Sequence, residues 1–167
     1  IRAGKLSVSE LMQETFTRIA NVNPKVNAIV DLLSKEDCDK LTSENFVLEG
    51  SLGGMPMAIK DLADVKGFKT TEGSPLYSER VAQKDDQMVS RLRAAGALFI
   101  GKTNTPEFGL GSNTFNPVYG KTKNPYDLSK TCGGSSGGAA VALATRMLSI
   151  SDGSDMMGSL RNPAAWN

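Results

Sequence analysis

Apolar positions recur along this chain with two periods, and the switches between them mark out its elements. Val8, Leu11, Met12, Phe16 and Ile19 recur at helical spacing behind Ser7 and Glu10, a capping-box pair, and Asn23-Pro24 supplies a stop. Val26 to Leu33 is apolar and rich in β-branched residues, which predicts an extended segment. The charged stretch Ser34 to Leu41 predicts a short exposed helix, and Ser43 to Gly54 a loop. Met55 to Ile59 then reads as a buried strand delivering Lys60, followed by a polar loop from Lys66 to Ser74. Asp85 and Asp86 are placed to cap a helix carrying Met88, Val89, Leu92 and Ala95 and ended by Gly96.

Leu98 to Ile100 predicts a strand, and Thr105-Pro106-Glu107 a short helix with proline at its first position. Asn113 to Thr131 reads as a long loop, Gly138 to Met147 as an alanine-rich helix, and Leu148 to Ser151 as a strand. Ser159 begins a last short helix. Strands alternating with helices predict an α/β fold with a mixed, largely parallel sheet flanked by helices. Neither a repeat nor a linker is evident. Residues 1–167 are therefore expected to form one domain, incomplete on its C-terminal side and part of a longer chain.

Composition narrows the function without naming it. At 40% hydrophobic and 22% charged residues, with a net charge of +1, the 167-residue chain offers no basic surface for nucleic acid or an anionic membrane. It has no apolar run of the ~20 residues a membrane span needs. Cys38 and Cys132 have neither disulfide-framework nor metal-ligand spacing and are expected to be free thiols of a cytoplasmic protein. Neither a cofactor nor a metal is expected. The expected partner is a small molecule, with self-association into a homo-oligomer left open.

The chain contains no histidine, so serine chemistry confined to its own residues needs another base, and lysine is the natural candidate. Three segments carry candidate chemistry. Gly133-Gly134-Ser135-Ser136-Gly137-Gly138 opens a helix; it suits a turn whose N–H groups converge on negative charge, a phosphate cradle or a flexible linker. Asp152 to Arg161 is a second glycine-containing turn, read either as a platform for Ser159 with N–H donors at Met156, Met157, Gly158 and Ser159, or as a capped helix start. Lys60-Asp61 reads as a buried base or as a solvated charge pair.

Taken in order, Met55-Pro56-Met57-Ala58-Ile59-Lys60-Asp61, Ile100-Gly101-Lys102-Thr103-Asn104 with Pro106-Glu107-Phe108, the Gly133–Gly138 turn and Asp152 to Ala164 resemble the amidase signature family. The resemblance spans Leu6 to Asn167. It implies that family's fold and a Ser–cisSer–Lys triad: Ser159 as nucleophile, Ser135 as bridging serine behind a cis peptide bond, and Lys60 as base. It also implies an oxyanion loop at Met156, Met157 and Gly158, and an amide substrate hydrolysed through an acyl-serine. An amidotransferase component releasing ammonia from glutamine and a catalytically silent domain are the alternatives. Asp155 and Arg161 match positions that brace the loop. The chain departs from the family's usual Asp-Thr-Gly-Gly-Ser by placing Met157 at a glycine position, and it has Thr131-Cys132 where proline often precedes the glycine pair.

Overall fold

The computed structural model describes residues 1, 3–43 and 50–167, so the 44–49 part of the expected 43–54 loop lies outside the described residues. Helix α1 (Val8–Val26) starts on a complete capping box: the Ser7 hydroxyl accepts from the Glu10 N–H, and the Glu10 carboxylate accepts from the Ser7 N–H. It runs past the predicted stop. Pro24 sits in its last turn, and Asn23 ends the helix instead through its side chain, which accepts from the N–H groups of Ala28 and Ile29. Strand β1 (Ile29–Leu32) and helix α2 (Lys35–Ser43) follow, and then β2 (Pro56–Lys60), buried at every residue.

Helix α3 (Gln87–Ala94) has Asp86 at its N-cap, as expected, with the Asp86 carbonyl accepting from the Ser90 N–H, but neither aspartate side chain makes a capping hydrogen bond. Asp86 accepts from the Asp64 N–H, and Asp85 from the Lys66 N–H and the Arg93 guanidinium, so both tie the preceding loop down. Strand β3 (Leu98–Thr103) is longer than the predicted Leu98–Ile100 and carries Lys102. The predicted proline-led helix is a single 3-10 turn, Glu107–Gly109, with Pro106 outside its first position. The predicted long loop contains a small hairpin, β4 (Phe115–Asn116) and β5 (Gly120–Lys121). Helices α4 (Gly137–Ala144) and α5 (Arg161–Trp166) complete the order.

The main sheet has the order β1-β3-β2; β3 pairs antiparallel with β1 and parallel with β2. It is mixed, as expected. One face packs Ala58, Leu98 and Ile100 against α1 and α4, through Met12, Ile19, Val141 and Ala142. The other packs Met57, Ile59 and Phe99 against Val89 of α3 and the loop residues Val65 and Phe68.

Leu148 to Ser151 is not a strand. Leu148 closes the end of α4 by donating to the Ala142 carbonyl. Beyond it, side chains rather than backbone meet the free edge of β2: the Ser151 hydroxyl donates to the Ala58 carbonyl and the Asp152 carboxylate accepts from the Lys60 N–H. Those side chains occupy groups that a strand ladder would use. Cys38 and Cys132 are free and buried, and burial pushes each thiol up to about 11, which disfavours the reactive thiolate. Among the described residues no helix is long and apolar enough to cross a membrane.

Candidate active site

Strand alternation sends Ala58 to the α4 face and Met57 and Ile59 to the opposite one; Lys60 continues the pattern toward the start of α4. Its side chain is 2% exposed. The Nζ lies 2.7 Å from Ser135 Oγ, 3.0 Å from Ser136 Oγ and 2.9 Å from Ser154 Oγ. Burial pushes the amine down to about 8, with the Asp152 and Asp155 carboxylates opposing the shift. Asp61 is not solvated either: it is fully buried, accepts from the Thr71 N–H and hydroxyl, and lies 3.4 Å from Lys102 Nζ.

The serine-rich turn is buried throughout, which excludes a linker. The Gly134–Ser135 peptide bond is cis, as the resemblance implies. The N–H groups behind it are taken: Ser136 donates to the Ser159 carbonyl, Gly137 to Thr114 Oγ1 and Gly138 to the Asn104 carbonyl. The N–H groups at the start of α4, which a phosphate cradle would use, are therefore already committed. Glycine at 138 is a packing requirement, since a Cβ there would collide with the backbone of Asn104 and Ala28.

The second turn is organised by Asp155. Its carboxylate accepts from the N–H groups of Gly158, Leu160 and Arg161 and makes two 2.9 Å contacts with the Arg161 guanidinium, which hold it well below the usual carboxylate range. Gly158 takes the left-handed conformation (φ +99°), whereas Met157 does not, so methionine at the family's glycine position carries no backbone strain. The Met156 and Met157 side chains are 92% and 90% exposed. Of the four expected oxyanion donors, Gly158 is committed to Asp155; the N–H groups of Met156, Met157 and Ser159 make no hydrogen bond among the described residues.

Helix α5 seats this turn against the first one. Asn162 Nδ2 donates to the Gly134 carbonyl at 3.4 Å, Asn167 Nδ2 donates to the Cys132 carbonyl, and the Asn124 side chain donates to the Trp166 carbonyl. The Ser159 carbonyl receives the Ser136 N–H at 3.1 Å, which fixes the Ser159 backbone beside the Lys60 cluster. The Ser159 hydroxyl itself makes no hydrogen bond among the described residues. Lys60 and Ser135 are thus in contact, and Ser159 is joined to this cluster by its backbone, through the Ser136 N–H.

Sequence reasoning missed Ser136, Ser154 and Asp152 as members of this cluster. Ser136 Oγ accepts from Lys60 and from the Ser154 N–H and donates to the Ser154 carbonyl at 3.3 Å, linking the two turns. A run of hydroxyl residues in both turns was the available signal, but sequence gives no side-chain direction. A cleft of about 250 Å³ beside the cluster is walled by Ser136, Asp152 and apolar residues of α4 and α5. Among the described residues no group of three or more Asp, Glu, Cys or His is placed to hold a metal ion.

In sequence and fold, the chain is similar to known proteins. The chain is 38% identical over 167 residues to the A subunit of glutamyl-tRNA(Gln) amidotransferase from Saccharolobus solfataricus, covering 100% of this chain and 35% of that protein. It is 42% identical over 173 residues to indoleacetamide hydrolase of Bradyrhizobium diazoefficiens, covering 100% of this chain and 33% of the relative. The structure of 6-aminohexanoate cyclic dimer hydrolase complexed with substrate superposes with a TM-score of 0.87 at 34% identity, covering 98% of this chain and 34% of that one. The chain therefore spans about a third of the length of the relatives it matches. The Amidase family model matches residues 10–167, and the chain belongs to that family.

Proposed function

We propose that this chain carries the acyl-transfer centre of an amidase, in which Ser159 attacks a carboxamide, Ser135 relays the proton and Lys60 is the base. The observation that carries this reading is a buried amine within hydrogen-bond reach of three hydroxyls, and the burial pushes that amine down to about 8. About a tenth of such an amine is neutral at pH 7, whereas an ordinary lysine at ~10.4 is neutral in less than about one molecule in a thousand.

Proton counting favours a single productive state. An ammonium donates to all three hydroxyls; a neutral amine has two donors and one lone pair, so one hydroxyl must donate to it. The Ser136 proton is engaged with the Ser154 carbonyl, which leaves Ser135 or Ser154. With Ser154 accepting, Ser135 donates to Lys60 and is ready to receive a proton from Ser159. The relay requires the Ser159 hydroxyl to turn toward Ser135, and the bond from the Ser136 N–H to the Ser159 carbonyl supports this by tethering the backbone next to Ser135.

In the first half-reaction the Ser135 proton moves to Lys60, the Ser159 proton moves to Ser135, and Ser159 Oγ bonds to the amide carbon. The oxyanion meets the N–H groups of Met156, Met157 and Ser159, while Gly158 acts through its tie to Asp155. Collapse breaks the C–N bond; the proton held by Lys60 returns through Ser135 to the leaving nitrogen, and ammonia or an amine departs. In the second half-reaction water gives a proton to the same relay and attacks the ester, the carboxylic acid is released, and Ser159 recovers its hydrogen. One amide and one water yield one acid and one amine.

A second reading has support of its own. The likeness to the amidotransferase relative over the whole chain favours release of ammonia from glutamine beside partner proteins. Assays of the natural-length protein on a panel of simple carboxamides separate the two. Ammonia release from the panel, with hydroxamate formed when hydroxylamine is added, is the expected result. Glutamine hydrolysis only in the presence of partner proteins supports the second reading, and absence of both activities overturns each.

A further inference from the structure

The mechanism uses one of two buried lysines at the same end of the sheet. Lys102 and Asp61 are both 0% exposed. Lys102 Nζ donates to the Ala63 carbonyl at 2.7 Å, to Thr70 Oγ1 at 3.1 Å and to the Lys69 carbonyl at 3.4 Å, and reaches the Asp61 carboxylate at 3.4 Å. Asp61 follows Lys60 directly, and its N–H donates to the carbonyl of Thr103, the β3 residue paired with Lys60. The four residues Lys60, Asp61, Lys102 and Thr103 thus form the joined ends of two parallel strands, with the two lysines aimed at opposite faces.

We propose that Lys102 is a positioning residue for the base: by pairing with the carboxylate of Asp61, the next residue along the chain from Lys60 but turned to the opposite face, it keeps uncompensated negative charge from building up behind an amine that must lose its proton. The inference rests on Lys60 being the base. A buried ion pair is weak as a source of stability, because desolvation offsets most of its attraction. Its value here lies in the field at Lys60. A bare carboxylate in this dry site favours the ammonium and so disarms the base.

The other charges around Lys60 are accounted for. Helix α4 presents no ionisable side chain. Asp155 is held by Arg161, and Asp64 by Arg80. Asp31 accepts from the Lys69 N–H. Tyr119, on the hairpin side, is pushed up to about 12 by burial and stays neutral. Asp152 accepts from the Lys60 N–H and is influenced by both lysines, so it couples the two faces.

The test is an NMR titration of the Lys60 side chain in the natural-length protein, alongside the pH profile of kcat/KM. Lys102→Met is expected to raise the Lys60 titration by about one pH unit, roughly a tenfold loss of neutral amine below it. Asp61→Asn is expected to lower it, and the double variant to return it close to wild type. If one single variant fails to fold, the other against the double makes the same comparison. A Lys60 titration unmoved in the variants overturns the proposal and leaves the triad standing. Near-full activity in Lys60→Ala instead overturns the base assignment, a separate outcome.

Discussion

Lys60 was legible in the sequence because a charge at the end of an apolar strand has few ways to stay solvated. Its neighbour Asp61 was not, because its partner Lys102 lies 41 positions along the chain and only strand pairing brings the two together. Ser136 and Ser154 were missed for a related reason: hydroxyls in glycine turns point wherever the turn sends them. Replacing Lys60 by Ala is expected to lower kcat by about 10²–10⁴-fold, the usual range for removing a general base. Met157→Gly tests the family departure. Since Met157 is exposed and unstrained, the variant is expected to shift stability by no more than about 1 kcal/mol in denaturant melts. A larger loss contradicts the geometry of the turn.

At the scale of elements, the predicted helices and strands fared best where periodicity ran long, as in α1. The Leu148–Ser151 strand and the β4–β5 hairpin failed because short segments are decided by which groups they meet. Side chains already occupy the edge of β2, and two-residue strands leave no pattern to read. The start of α4 is the element on which the site depends most. Gly138→Ala forces a methyl group into the backbone of Asn104 and Ala28 and is expected to cost about 1–3 kcal/mol, the range for overpacking, read as a lowered Tm. Loss of activity with an unchanged Tm would contradict this packing account.

For the whole molecule, the α/β class and mixed sheet followed from alternation, whereas the closeness of the two turns did not: it depends on α5 docking onto residues 132–134. The proposed role of Lys60 opposes stability. Lys60 has a folded value near 8 against a reference of 10.5, so the unfolded chain binds more protons between them. Below pH 8 the penalty of a buried ammonium is fully present, and it is relieved as pH rises toward 10.5. Relative to Lys60→Met, the wild-type protein should therefore gain stability on the order of 2 kcal/mol between pH 7 and pH 10. Parallel pH dependence in the two proteins contradicts a depressed Lys60.

The most direct measurement follows the covalent step itself. The natural-length protein is treated with a fluorophosphonate, and modification of Ser159 is timed by mass spectrometry across pH. The account predicts a rate that rises about tenfold per pH unit up to about pH 8, where Lys60 loses its proton, then levels off, and that collapses in Lys60→Ala. A rate indifferent to pH, or the same in Lys60→Ala as in wild type, contradicts it.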